Sequence, residues 1–156
     1  MKNILLILAV LITTNLFGQK KFQKLEVNAG VSLFTPVSKD FSWNEKAWGQ
    51  KVQFVKPKNR NLAYVLNLGV QQNNEKYLQI PTLVSLRHFM YKNIYITYGT
   101  GATFFKNENA RFTLTAGWGV QMKKFVIEQS IFRTTAGQNV AKSHENNVGI
   151  SLLYRL

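Results

Sequence analysis

Few side chains in this sequence have the types and spacing that catalysis needs. The segment KSHENN sets Ser143, His144 and Glu145 side by side, offering the hydroxyl, base and carboxylate of an acyl-transfer triad. A triad converges through space on one reacting atom, which adjacent residues rarely do, so this segment is expected to be a loop with no catalytic role. His88 shares the parity of its apolar neighbours near a strand end, where an amphipathic ring at an interface is the ordinary explanation. The other histidine lies far along the chain and there is no cysteine, which leaves no zinc ligand set to assemble. GTGATFF, with Gly99 and Gly101, lacks the third glycine and the following helix of a nucleotide loop. Its glycines share one strand face and suit close packing instead. The expectation is no catalytic residue, no metal and no cofactor.

Charged residues within the strands say more, but the strands must be laid out first. In KLEVNAGVSLF, Leu25, Val27, Ala29, Val31 and Leu33 alternate with Glu26, Asn28, Gly30 and Ser32, giving an extended strand one apolar and one small, polar face. Seven further extended segments follow, at 46–55, 62–71, 77–90, 94–105, 111–121, 125–134 and 147–156. Most are near the roughly 9–11 residues that a tilted strand needs to cross an outer membrane. Long polar connections alternate with the short basic ones KPKNR, YKN and MKK. An up-and-down barrel that enters from the periplasm would put the first set outside the cell and the second in the periplasm.

The two faces decide the solvent. A water-washed sheet face is usually rich in Lys and Glu, whereas here it is mainly Gly, Ser, Thr, Asn and Gln, which suits the cramped lumen of an eight-stranded barrel. The fold expected is an all-β, eight-stranded antiparallel up-and-down transmembrane β-barrel with its leucines toward lipid. The polar face also carries Glu26, Lys51, Arg87, Glu128 and Arg155, of both signs. Buried ionic groups must be paired and hydrogen-bonded, so these five are expected to form one internal network. On the apolar face Trp48, Phe54, Tyr64, Phe104, Phe112, Trp118, Phe125 and Tyr154 fall near strand ends, as interfacial girdles require, with Tyr98 the mid-strand exception. Pro81 sits within a strand and predicts a bulge or a local gap in pairing.

The first residues have a different character. Lys2, the apolar run from Ile4 to Ile12 and the small residue Gly18 read as a cleaved secretory signal over 1–18, which leaves a barrel domain over 19–156. Removing Lys2 from the 20 basic residues, against 7 acidic ones, leaves a formal charge of +12. Such a surplus either points to an anionic partner or serves to cap strand ends and keep the chain soluble during periplasmic transit. Export excludes free cytoplasmic nucleic acid, so no direct nucleic-acid binding is expected, and outer-membrane lipid becomes the partner, with lipopolysaccharide phosphates as the anion.

YLQIPTLVSLRHF followed by NIYITYGTGATFF resembles the middle of small outer-membrane barrels from Bacteroidetes, where a strand with an Ile-Pro pair precedes a glycine-bearing strand. GQKKFQKLEVNAG, the spacing from KNRNLAYVLNLGVQ to Ile80-Pro81, and FRTTAGQNVAKSHENNVGI are similar to the TraO family of conjugative-transposon proteins. In that family an Arg, Gly, Val, Lys, His and later Gly recur near the C-terminus, here Arg133, Gly137, Val140, Lys142, His144 and Gly149. The sequence is shorter than the family, and KNENA stands where the family has a longer acidic insertion. The resemblance implies an outer-membrane component of a DNA-transfer apparatus, working beside other proteins of that apparatus.

The resulting expectation is a non-catalytic outer-membrane barrel with a filled interior and a structural or partner-binding role. Lys39, Asp40, Trp43, Lys106, Lys142 and His144 on its external loops are the contact candidates. A lipid A deacylase would instead carry a histidine and a serine on a lipid-facing strand near the chain end, and IFRTTAGQN has no histidine. A soluble lipocalin-like barrel would need its leucine face inside.

Overall fold

The computed structural model describes residues 24–37, 47–73, 78–106, 109–135 and 145–156. Residues 1–18, read above as a secretory signal, lie outside them. Eight strands follow one another: β1 (Glu26–Pro36), β2 (Ala47–Pro57), β3 (Leu62–Asn73), β4 (Leu78–Tyr91), β5 (Ile94–Phe105), β6 (Arg111–Gln121), β7 (Phe125–Thr134) and β8 (Glu145–Arg155). Each pairs antiparallel with the next, and β8 returns to β1 to close the barrel. The strand ends depart from the sequence reading by at most two residues, as where β3 runs on to Asn73 and β8 begins at Glu145.

The register fixes how far the strands lean. Cross-strand pairs lead from Glu26 through Val55, Val65, Ser85, Gly99, Thr115, Phe132 and Asn147 back to β1 at Pro36, ten residues above the start. Such a stagger goes with a strand tilt of about 40° and a lumen that side chains just fill. Pro81 leaves the register intact. Leu68↔Thr82 and Gln71↔Gln79 belong to one continuous alignment, with the intervening residues unpaired, and the register shift in β4 lies instead between Phe89 and Tyr91. The ladder to β3 is interrupted there, the local gap that the proline predicts, while pairing with β5 continues through Pro81↔Thr103 and the proline faces inward over Gly69.

Parity places the apolar set outside. Val31, Trp48 and Ile150 are 60%, 59% and 57% exposed, and the exposed apolar face continues through Val84, Tyr98, Leu114, Ile131 and Leu152 around the barrel. A soluble protein rarely shows contiguous apolar surface on that scale, whereas a lipid-facing wall requires it. A lipocalin-like interior is therefore contradicted, because the leucine face is the outer one. The belt residues Phe104, Phe112, Trp118, Phe125 and Tyr154 are exposed on this wall, where Phe125 meets Tyr154 edge to face at 5.5 Å. Trp118 donates its indole N–H to the Gln129 amide oxygen at 2.9 Å, which gives that donor a partner on the outer face.

The inside is layered. Val55, Ala63 and Val65 form one small apolar cluster, and Tyr95, Val126 and Leu153 another, both packed against Phe89 toward the end with short turns. Phe34, Leu83 and Phe132 form a third cluster nearer the long connections, with Phe34 and Phe132 edge to face at 5.3 Å. A polar layer lies between. Beyond the third cluster Thr103, Thr113 and Thr134 link hydroxyls at 2.7 and 3.2 Å.

Candidate functional site

The most densely bonded group of side chains is inside the barrel and centres on Glu128 of β7. Its parity turns it into the lumen, where it is buried, and donors reach it across the cavity from three other strands. Lys51 of β2 donates to Oε1 at 2.5 Å, while Arg87 of β4 reaches Oε2 at 3.3 Å. Tyr95 of β5 donates its hydroxyl to Oε2 at 2.9 Å. Gln53 of β2 donates to both carboxylate oxygens, at 3.3 and 3.2 Å.

These donors are held in turn. Gln53 accepts from Arg87 at 2.9 Å and donates to Asn67 at 2.9 Å, and Asn67 donates to Ser85 at 3.1 Å. The Arg87 guanidinium lies over the Tyr95 ring, 4.0 Å from its centre, a cation–π contact in a dry setting. Tyr95 reaches Glu128 because it pairs with Gly119, which itself pairs with Glu128 on the far side. With no side chain at Gly119 the phenol lies flat across β6, and a Cβ there would strike the Tyr95 hydroxyl. The same device recurs where the Phe34 ring lies over its cross-strand partner Gly149.

The five charges expected to form one network occupy two places. Lys51, Arg87 and Glu128 meet in the polar layer. Glu26 and Arg155 pair separately at 2.7 Å near the short-turn end. Arg155 there also donates to the carbonyls of Met122 and Lys123, at 3.1 and 3.3 Å, so it ties the β1–β8 seam to the β6–β7 turn. The division follows from the tilt: residues of equal rank on different strands lie at different heights, and neither Glu26 nor Arg155 rises to the middle. Tyr95 and Gln53, which sequence reasoning left out, complete the central cluster. Their signal was parity, since Tyr95 lies opposite in phase to Ile94 and Ile96.

This arrangement suits bracing rather than reaction. Glu128 has its negative charge matched by two cations and its oxygens occupied by four donors, which leaves it no role as a base or nucleophile toward a ligand. Among the described residues no group of three or more His, Cys, Asp or Glu gathers to hold a metal. Of the external contact candidates, Lys106 is exposed just past β5, where its amide donates to the Leu78 carbonyl at 3.2 Å. Lys39, Asp40, Trp43, Lys142 and His144 lie outside the described residues, as does Ser143. Of the six motif positions near the C-terminus, Arg133 is exposed on the outer face and Gly149 receives the Phe34 ring.

No protein-family model matches the chain, and no curated protein matches it in sequence. Solved structures do resemble it. A de novo designed transmembrane β-barrel superposes with a TM-score of 0.61 at 11% identity, over 88% of this chain and 98% of the design. Ail, the attachment invasion locus protein of Yersinia pestis, gives 0.60 at 10% identity over 85% of this chain and 97% of its own. Ail has also been crystallised with the heparin analogue sucrose octasulfate. The N-terminal β-barrel domain of Pseudomonas aeruginosa OprF gives 0.51 at 11% identity, over 85% of this chain and 100% of that domain. At these identities the likeness is one of fold, and the fold is the eight-stranded antiparallel transmembrane β-barrel.

Proposed function

We propose that this chain is a non-catalytic outer-membrane barrel with a closed interior, which acts through its wall and external loops as a TraO-like component of a conjugal transfer apparatus. The observation that carries the closed, non-catalytic part is the Glu128 cluster, in which Lys51, Gln53, Arg87 and Tyr95 reach across the lumen at mid-height to one carboxylate. Outer-membrane location rests on the apolar exterior together with the likeness to Ail and OprF. The transfer role rests on the C-terminal motif and gives the barrel other apparatus proteins as partners. Lys39, Asp40, Trp43, Lys106, Lys142 and His144 are the residues proposed to meet partners or lipopolysaccharide phosphates. The complex of Ail with a polysulfated sugar supports an anionic ligand for this class of scaffold.

The closed lumen has a direct electrical test. Purified protein in planar bilayers is expected to give no stable channels, because a salt-bridged plug at mid-height leaves no continuous water path. Stable openings of porin size would contradict the closed interior. The transfer role is tested by deleting the gene: conjugation frequency should fall sharply and return on complementation, and unchanged transfer would contradict it.

A further inference from the structure

Charge is distributed unevenly along the barrel axis. The β2–β3 turn carries Lys58 and Arg60, the β4–β5 turn Lys92 and the β6–β7 turn Lys123 and Lys124, all exposed. Lys24, just ahead of β1, adds another exposed cation at the same end. The one side-chain carboxylate among the described residues there, Glu26, is already held by Arg155. By sequence Asp40, Glu45, Glu75 and Glu108 belong to the connections at the other end. By sequence that end also carries seven basic residues against five acidic ones, so most of the surplus charge belongs to the short-turn end.

The turns have a shared construction. The Lys58 ammonium stands 5.7 Å from the centre of the Tyr64 ring, Lys92 stands 5.5 Å from that of Tyr91, and Lys123 and Lys124 precede the Phe125–Tyr154 pair. Two of the turns therefore set a cation beside an aromatic ring, and the third places two lysines next in sequence to one, at the edge of the apolar wall, the depth at which lipid phosphates lie. Lys92 adds a separate sign. Its φ of 34° is a left-handed conformation that Gly or Asn adopts more cheaply, and Asn93 stands next to it, so a cation is kept where backbone economy would not choose one.

From these observations we propose that the three short turns form a cationic collar that binds the phosphate groups of anionic phospholipids in the periplasmic leaflet. The proposal rests on the membrane reading above and adds a ligand at the end opposite to the external loops. The cations sit on three turns spread around the perimeter, which matches a ring of lipids. A nucleic acid or a globular partner would approach from one side and would call for one contiguous patch.

The test is refolding of the mature protein, in a Trp43→Phe, Trp48→Phe background, into vesicles of phosphatidylcholine with brominated phosphatidylglycerol, or of phosphatidylglycerol with brominated phosphatidylcholine, reading quenching of lipid-facing Trp118 near the β6–β7 turn. The wild type should favour phosphatidylglycerol about threefold or more, with the preference lost in about 1 M salt. The combined Lys58→Ser, Lys92→Asn and Lys124→Ser variant removes three of the five turn cations and should fall well below the wild-type ratio while remaining folded, since Asn suits the left-handed position. Equal quenching by both lipids in a wild-type barrel that still shifts on boiling would overturn the collar and leave the membrane reading standing. A protein that does not insert would overturn both. Equal quenching combined with binding of a single-stranded oligodeoxynucleotide that the triple variant loses would reassign the collar to nucleic acid.

Discussion

Replacing Glu128 with alanine is expected to destabilise the barrel by about 3–5 kcal/mol, measured by reversible guanidinium unfolding in vesicles. The cost arises from what stays behind. Lys51 and Arg87 would face one another in the lumen without their shared counter-charge, and Gln53 and Tyr95 would lose an acceptor. Arg87 is fully buried and has little recourse to water. The converse change should be mild: Lys51→Met leaves Glu128 paired with Arg87, a neutral couple, at a cost of under about 2 kcal/mol. Combining Glu128→Gln with Lys51→Met should recover part of what Glu128→Gln alone loses. An E128A barrel within about 1 kcal/mol of wild type would mean that the cluster does not brace the wall.

Gly119→Val is expected to cost about 3 kcal/mol, more than Tyr95→Phe at about 1–2 kcal/mol, in the same unfolding assay. The valine would occupy the place of the Tyr95 ring, so it forces the phenol out of its position under Arg87 and breaks the 2.9 Å bond to Glu128. Tyr95→Phe removes only that bond and keeps the ring in place. In the double variant the two losses should be less than additive, because both act on one contact. Fully additive costs would mean that Gly119 matters for the strand alone.

The sequence made the fold legible because alternation is a local property. The parity of KLEVNAGVSLF and of its counterparts on the other strands assigns every residue to the lumen or the wall without knowledge of any partner strand. Even Pro81 keeps its phase. Height along the axis is not local: it depends on the stagger summed around all eight strands, and this is why one expected charge network divides into the Glu128 cluster and the Glu26–Arg155 clamp. The inward apolar residues Leu83, Phe132 and Leu153 were hidden for another reason. On a face dominated by small polar residues they looked like exceptions, yet they supply the apolar layers that separate the polar levels.

The direction in which the two faces look is the central claim, and a gel tests it most directly. Outer-membrane fractions extracted in detergent should show this protein at one mobility when unboiled and at another after boiling, as a closed barrel with a detergent-coated apolar wall resists unfolding until heated. A single mobility under both conditions, with the protein free in the periplasmic extract, would mean that the leucine face turns inward and that the exterior described above is wrong.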